Sequence, residues 1–223
     1  MNLLCLADLI DTPLLQRLRT GHATLPSQDG RNTAGWAARA VKHNLQLDGS
    51  DARVHALQVE LQQHLLAHPL LRLYARPHRV TLPLFNRYRV GMQYGRHVDD
   101  ALMGEPPLRT DLAYTVFLSA TADYDGGELV LEGSAGETPI KLDAGAAVVY
   151  PAGALHRVNP VTRGERLAAV GWIQSQVRDA AQREVLFDLD RTRRALHERE
   201  GDGDAFAALS RCSGALLRMW TEV

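Results

Sequence analysis

A chain of 223 residues, 45% hydrophobic and 23% charged, can bury a full core, and its ordinary composition excludes a disordered or low-complexity polypeptide. The formal net charge of −1 gives no overall attraction to nucleic acid or to an acidic membrane surface. Its two cysteines, Cys5 and Cys212, stand near opposite ends and outside any CxxC pair, which argues against a disulfide framework or a structural zinc site.

Three parts follow one another, with boundaries at 1–78, 79–177 and 178–223. The opening Met1-Asn2-Leu3-Leu4-Cys5-Leu6-Ala7-Asp8 lacks a basic n-region and fits a first strand or helix better than a signal peptide. No run reaches the roughly 18 apolar residues that span a bilayer, so a soluble, cytoplasmic chain is expected. Asp11-Thr12-Pro13 reads as a cap and a first-turn proline leading into Leu14, Leu15 and Leu18. The segment 25–32, rich in Gly, Pro, Ser and Asn, reads as a loop. A second helix is expected from Asp51 to His68, with Val54, Leu57, Leu61 and Leu65 spaced three or four apart and Pro69 closing it.

The middle part changes character. Short β-favouring runs at 79–82, 84–88, 114–118, 128–131, 146–150 and 167–173 alternate with Gly-rich turns such as Asp125-Gly126-Gly127 and Gly133-Ser134-Ala135-Gly136. Many short strands without a long helix between them indicate an antiparallel sandwich or jelly roll, mainly β with flanking helices. From about residue 178, helical spacing returns in Leu186, Leu189, Arg193 and Leu196. A further helix carries Ala205, Leu209, Leu216, Leu217 and Trp220, after a Gly201-Asp202-Gly203-Asp204 break. Acidic neighbours make Arg191-Thr192-Arg193-Arg194 a solvated helix face, not a nucleic-acid patch. The apolar cluster Leu216, Leu217, Met219 and Trp220 motivates a homodimer through the terminal helices.

His97-Val98-Asp99 is the first constellation that carries chemistry. In a strand, residues i and i+2 share a face, so one imidazole and one carboxylate can reach one point. Asp100 competes for the carboxylate role, but alternation sends it to the opposite face. His156, 57 positions after Asp99, supplies a third donor. Two histidines and one carboxylate form the facial triad of non-haem iron(II) oxygenases, with positions left open for cosubstrate and oxygen. Arg166 begins an apolar run and is placed to point inward, as a bidentate partner for a carboxylate. Arg157 and Arg163 fall in the preceding turn region, where solvent exposure is expected. Tyr88 and Tyr94 lie just upstream of His97, either holding a cosubstrate carboxylate or water, or packing in the core. Asn86, Arg87, Arg109 and Asp111 line a cavity or form a buried ion pair. His22, His43, His55, His64, His68, His78 and His197 show no comparable pattern. His64 and His68 stand four apart, yet Leu65 occupies the glutamate position of HExxH, which argues against a zinc hydrolase.

These residues also resemble a known family, the bacterial PKHD-type hydroxylases, a prolyl-4-hydroxylase-like branch of the iron(II)/2-oxoglutarate dioxygenases. The matching stretches run in order. They are Pro83-Leu84-Phe85-Asn86-Arg87-Tyr88, Tyr94-Gly95-Arg96-His97-Val98-Asp99, Arg109-Thr110-Asp111-Leu112 and Tyr124-Asp125-Gly126-Gly127-Glu128-Leu129. Tyr150-Pro151, Leu155-His156, Pro160-Val161-Thr162-Arg163-Gly164-Glu165-Arg166 and Trp172-Ile173-Gln174-Ser175 continue the series. The resemblance implies a double-stranded β-helix, iron(II) on His97, Asp99 and His156, and 2-oxoglutarate on Arg166; Tyr88 and Tyr94 are expected, from their position alone, as further cosubstrate contacts. It also implies dioxygen and an unknown substrate as partners and ascorbate as a reductant, and it suggests a link to iron or siderophore metabolism. Asp100, beside a ligand, departs from the family pattern and bears on the substrate. Two other readings keep the fold: a cupin-like metal-dependent hydrolase or isomerase, and a non-catalytic binding module. The loop between Asp99 and Arg109, with Met103, Pro106 and Pro107, is expected to shape the entrance.

Overall fold

A computed structural model of the chain describes residues 3–222. The first strands in chain order are β1 (Leu4–Leu6), β2 (Ser27–Asp29), β3 (Lys42–His43), β4 (Leu45–Leu47), β5 (Pro77–Val80), β6 (Leu84–Tyr88) and β7 (Gln93–His97). There follow β8 (Leu102–Met103), β9 (Leu108–Arg109), β10 (Leu112–Phe117), β11 (Tyr124–Gly126), β12 (Leu129–Gly133) and β13 (Gly136–Ile140). The last are β14 (Ala147–Pro151), β15 (Leu155–Val158), β16 (Val161–Gly164) and β17 (Arg166–Ser175). Helices α1 (Thr12–Thr24), α2 (Ala52–Ala67) and α3 (Pro69–Ala75) precede the main strands, and α4 (Ala180–Glu200) and α5 (Asp204–Trp220) follow them.

A large sheet runs β1-β14-β10-β17-β6-β4-β2, with β5 beside β17, and a smaller one runs β13-β12-β15-β7-β3. Every residue of β10 is buried, because both faces of the large sheet are covered. Its Leu112, Tyr114 and Val116 pack with Leu14 and Leu18 of α1 and Val54, Leu61 and Leu65 of α2. Its Ala113 and Phe117 face the other way, into a core shared with Leu129 and Leu131 of the small sheet. This is the jelly-roll sandwich, with helices on one outer face. At the far end Asp190 of α4 ties three elements together. It pairs with Arg76 after α3 (2.6 Å) and Arg193 (3.1 Å), and accepts from Ser213 of α5 (3.1 Å). Among the described residues, no helix is long and apolar enough to cross a membrane.

Asp11 caps α1 as expected, its carboxylate accepting from Leu14 N at 2.8 Å. Three local expectations need correction. The segment 25–32 is not simply a loop: Ser27–Asp29 pairs with Leu45–Leu47 as an edge strand, and a 3₁₀ turn covers Gly30–Thr33. An edge strand of three polar residues is held by backbone hydrogen bonds and shows no hydrophobic alternation. Pro69 does not merely end α2; it opens α3 at its first turn, where its missing N–H costs nothing, with His68 as the cap. Strand β7 ends at His97, so Asp99 lies beyond the ladder. Met1, which begins the expected first element, and Asn2 lie outside the described residues.

Candidate metal centre

Strand pairing alone brings the two histidines together. His97 ends β7, His156 lies on β15, and the two are register partners with ring centroids 4.2 Å apart. Each Nδ1 faces a carbonyl two residues back, Gly95 O at 2.8 Å and Ala154 O at 2.9 Å. A carbonyl can only accept, so each Nδ1 carries a hydrogen, which turns each Nε2 toward the cavity as the atom free to bind a metal. Both Nε2 atoms stand 3.8 Å from Asp99 Oδ1, too far for hydrogen bonds. One donor atom from each residue lies within 4.8 Å of the others. The other Asp99 oxygen, Oδ2, accepts from Trp172 Nε1 at 2.8 Å, which leaves Oδ1 facing the imidazoles.

Electrostatics favours the same state. Burial, and then the neighbouring His156, hold His97 down to about 3, so its ring is neutral at physiological pH and no proton competes for the lone pair. Burial pushes the Asp99 carboxyl up, and His156 and the Trp172 hydrogen bond pull it back. Two imidazoles and one oriented carboxylate, too far apart to hydrogen-bond one another, fit a divalent transition metal with coordination positions to spare.

Arg166 opens β17 directly across from Tyr88 of β6. It is 1% exposed, and its guanidinium lies 5.2 Å from the Tyr88 ring and 5.5 Å from the Phe117 ring. Among the described residues no carboxylate pairs with it, and its Nε has no hydrogen-bond partner. Gly127, at φ +65°, gives it room, since a Cβ there would come within 3.1 Å of Arg166 Cδ. A buried cation without an anion is costly, and an anion entering the cavity would relieve that cost. Tyr88 stands beside it with its hydroxyl pushed up to about 12 by burial, and is therefore a neutral donor. Tyr94 stacks on His97 at 3.6 Å and is likewise held protonated by burial.

The triad, Arg166, Tyr88 and Tyr94 open on one cavity with about 720 Å³ of space between its atoms, the mouth included. Asn86 lines it too, fixed by Asn44 and Gln46 at 2.7 Å each. Arg109 and Asp111 instead form an ion pair at 2.7 Å away from the cavity, and Arg87 reaches Glu165 at 3.5 Å. Arg157 and Arg163 are tied to Glu137 and Asp125. Asp100 does not take the opposite face of a strand: beyond β7 its carboxylate rests against Gly35 at the cavity rim. Met103 lines the cavity, whereas Pro106 and Pro107 offer their carbonyls to Arg79. Two contributors carry no legible motif. Trp172 signals itself only as an amphipathic ring needing a partner for its N–H. Lys42, buried at the cavity wall, carries no sequence signal at all.

This fold and this cavity define a 2-oxoglutarate/iron(II) oxygenase. Residues 83–174 match the 2OG-Fe(II) oxygenase superfamily, and residues 180–222 match the PKHD-type hydroxylase C-terminal domain. A solved prolyl-4-hydroxylase from Pseudomonas putida shares the fold, with a TM-score of 0.55 at 22% identity, over 78% of this chain and 92% of that one. A PKHD-type hydroxylase from Picosynechococcus sp. is 46% identical over 93% of this chain and 94% of its own length. One from Maricaulis maris is 51% identical over 87% of each. The chain belongs to the PKHD-type hydroxylase family, and is an iron(II)- and 2-oxoglutarate-dependent dioxygenase.

Proposed function

We propose that His97, Asp99 and His156 hold the iron(II), that Arg166 holds the far carboxylate of 2-oxoglutarate, and that the enzyme hydroxylates a C–H bond of a substrate entering by the cavity mouth. The observation that carries this reading is Arg166: a fully buried guanidinium without a counter-ion, opening on the cavity where three metal-donor atoms converge. A hydrolase or isomerase that takes no acidic ligand would have no use for such a cation.

Iron(II) bound there supplies dioxygen activation, coupled to oxidation of 2-oxoglutarate to succinate and carbon dioxide. The chain itself orients and excludes water. Gly95 and Ala154 carbonyls hold the two imidazole tautomers, and the Trp172 indole holds the carboxylate. Arg166 anchors one end of the cosubstrate so that its keto-acid end meets the metal, and Tyr88 donates a hydrogen bond beside it. Tyr94, stacked on His97, fixes that ring and walls the cavity. No general base is needed, so the lack of a catalytic dyad is no objection. The core over 79–177 carries this chemistry, 1–78 closes one wall, and 178–223 forms a helical extension whose apolar Leu216, Leu217 and Met219 suit a homodimer; monomeric elution at micromolar concentration removes that last element.

Metal binding and turnover test the proposal. Wild-type protein binds iron(II) stoichiometrically and forms succinate slowly without added substrate, and His97→Ala and His156→Ala each lose both while keeping their circular dichroism. Stoichiometric iron binding by folded His97→Ala/His156→Ala protein would overturn it.

A further inference from the structure

Lys42 is a second buried cation at the same cavity, 7% exposed, and the reading above leaves it without a task. Its Nζ donates to Thr33 Oγ1 at 3.1 Å and lies 5.0 Å from the Tyr94 ring centroid. That hydrogen bond uses one of its three donors. Among the described residues no carboxylate comes within ion-pair distance of it. The ammonium is nonetheless held in place. Thr33 is joined to Gln46 at 2.6 Å, Gln46 to Asn86 at 2.7 Å, and Asn86 to Asn44 at 2.7 Å, a polar chain running from the cavity wall into the large sheet.

Charge balance says what Lys42 lacks. Asp99 and Asp29 act on Lys42 from beyond ion-pair distance, but iron(II) would take Asp99 and the keto-acid carboxylate, Arg166 would take the far carboxylate, and Asp29 is paired with Arg31. Asp100 is exposed at the rim, where solvent screens it. Lys42 is left as one uncompensated positive charge. The stack from Lys42 to Tyr94 to His97 sets it on the histidine side of the metal site, whereas Arg166 lies against Tyr88 and Phe117. Burial lowers the ammonium to about 8, so it remains charged at neutral pH.

We propose that Lys42 receives a carboxylate of the primary substrate, and so selects acids over neutral analogues. One negative charge matches the one surplus positive charge; a phosphate dianion would exceed it. The inference rests on Arg166 being the cosubstrate anchor, and the test separates the two.

Protein loaded with redox-inert manganese(II) is first titrated with 2-oxoglutarate, then with a panel of N-acetyl amino acids and their matching amides, by calorimetry and ligand-observed NMR. In wild type, the preferred acid binds at least about tenfold tighter than its amide, the worth of one modest charged contact. Lys42→Met abolishes that preference, Lys42→Arg retains it, and 2-oxoglutarate affinity stays within about twofold in both, a shift too small to reflect a lost charge pair. The inference is overturned if wild type shows no acid preference or binds no member of the panel, or if the preference survives in folded Lys42→Met protein. It also fails if Lys42→Met weakens 2-oxoglutarate as Arg166→Met does, which would make Lys42 part of the cosubstrate site. If wild type does not bind 2-oxoglutarate in the first titration, the Arg166 reading falls before any acid is added, and this inference with it.

Discussion

Arg166→Met should separate two observables, ligand-free stability and cosubstrate affinity. Methionine follows arginine's side chain as far as Nε, so it keeps the packing of the stem while removing the guanidinium over Tyr88 and Phe117, a buried charge that has no protein counter-ion. Replacing buried ionic groups by well-packed apolar ones is commonly neutral or stabilising by about 1–4 kcal/mol. Two ring contacts are lost, worth roughly 1–2 kcal/mol each. The ligand-free variant should therefore lie between about 4 kcal/mol less stable and about 2 kcal/mol more stable, with Tm rising by no more than about 8 °C for a chain of this size. Cosubstrate affinity falls whatever the sign of that change. Loss of a buried, charge-assisted bidentate contact costs roughly 3–5 kcal/mol, a hundredfold to several-thousandfold rise in Kd. Thermal unfolding with manganese(II), with and without 2-oxoglutarate, reads both at once: wild type gains Tm on adding the cosubstrate, and Arg166→Met does not. A cosubstrate shift left intact in folded Arg166→Met protein would make Arg166 a structural residue and refute the argument.

Three further outcomes follow from the same geometry. Trp172→Phe removes the donor that orients Asp99 and should weaken manganese(II) or iron(II) binding by about 10- to 100-fold at unchanged fold, and unchanged affinity on titration would rule that role out. His22 is 2% exposed with both ring nitrogens unpartnered, and burial, with Arg87 nearby, lowers it from 6.5 to about 3. Between those values the unfolded chain binds a proton that the folded one does not, so its share of stability, up to several kcal/mol, is lost as pH falls through that window. His22→Leu should flatten the urea midpoint below pH 6.5, and an unaltered acid slope would contradict this. Asp190→Ala strands the buried Arg76 guanidinium at the junction of α3, α4 and α5 and should cost about 3–5 kcal/mol in urea unfolding, with early protease cleavage after residue 178; a loss below about 1 kcal/mol would show the junction held by packing alone.

Much of the fold was readable because its signals are local. Asp11 and Asp51 sit at their caps, and the apolar spacing of α2 and the Gly-rich turns around β12 and β13 need no tertiary knowledge. The edge strand at Ser27–Asp29 was not readable, since its reason to exist is the partner strand and not its own side chains. At the site, His97, Asp99, His156 and Arg166 stand out as residue types with few other reasons to share one pattern. Strand alternation alone does not pair His97 with Asp99, however. The strand stops at His97, and the carboxylate is aimed by Trp172, 73 residues away. Lys42 is the clearest case of what a sequence conceals. Only the pairing of β3 with β7 brings it over Tyr94, and nothing within several residues of it distinguishes it from a surface lysine.

The central claim is that iron on His97, Asp99 and His156 and 2-oxoglutarate on Arg166 meet in one cavity. Anaerobic titration of iron(II)-loaded protein with 2-oxoglutarate tests it most directly, through the visible metal-to-ligand charge-transfer band of the keto-acid chelate. The account predicts a saturable band in wild type that is absent in His97→Ala and needs far more 2-oxoglutarate in Arg166→Met. No band in folded, iron-loaded wild-type protein, or an undiminished one in His97→Ala, would contradict it.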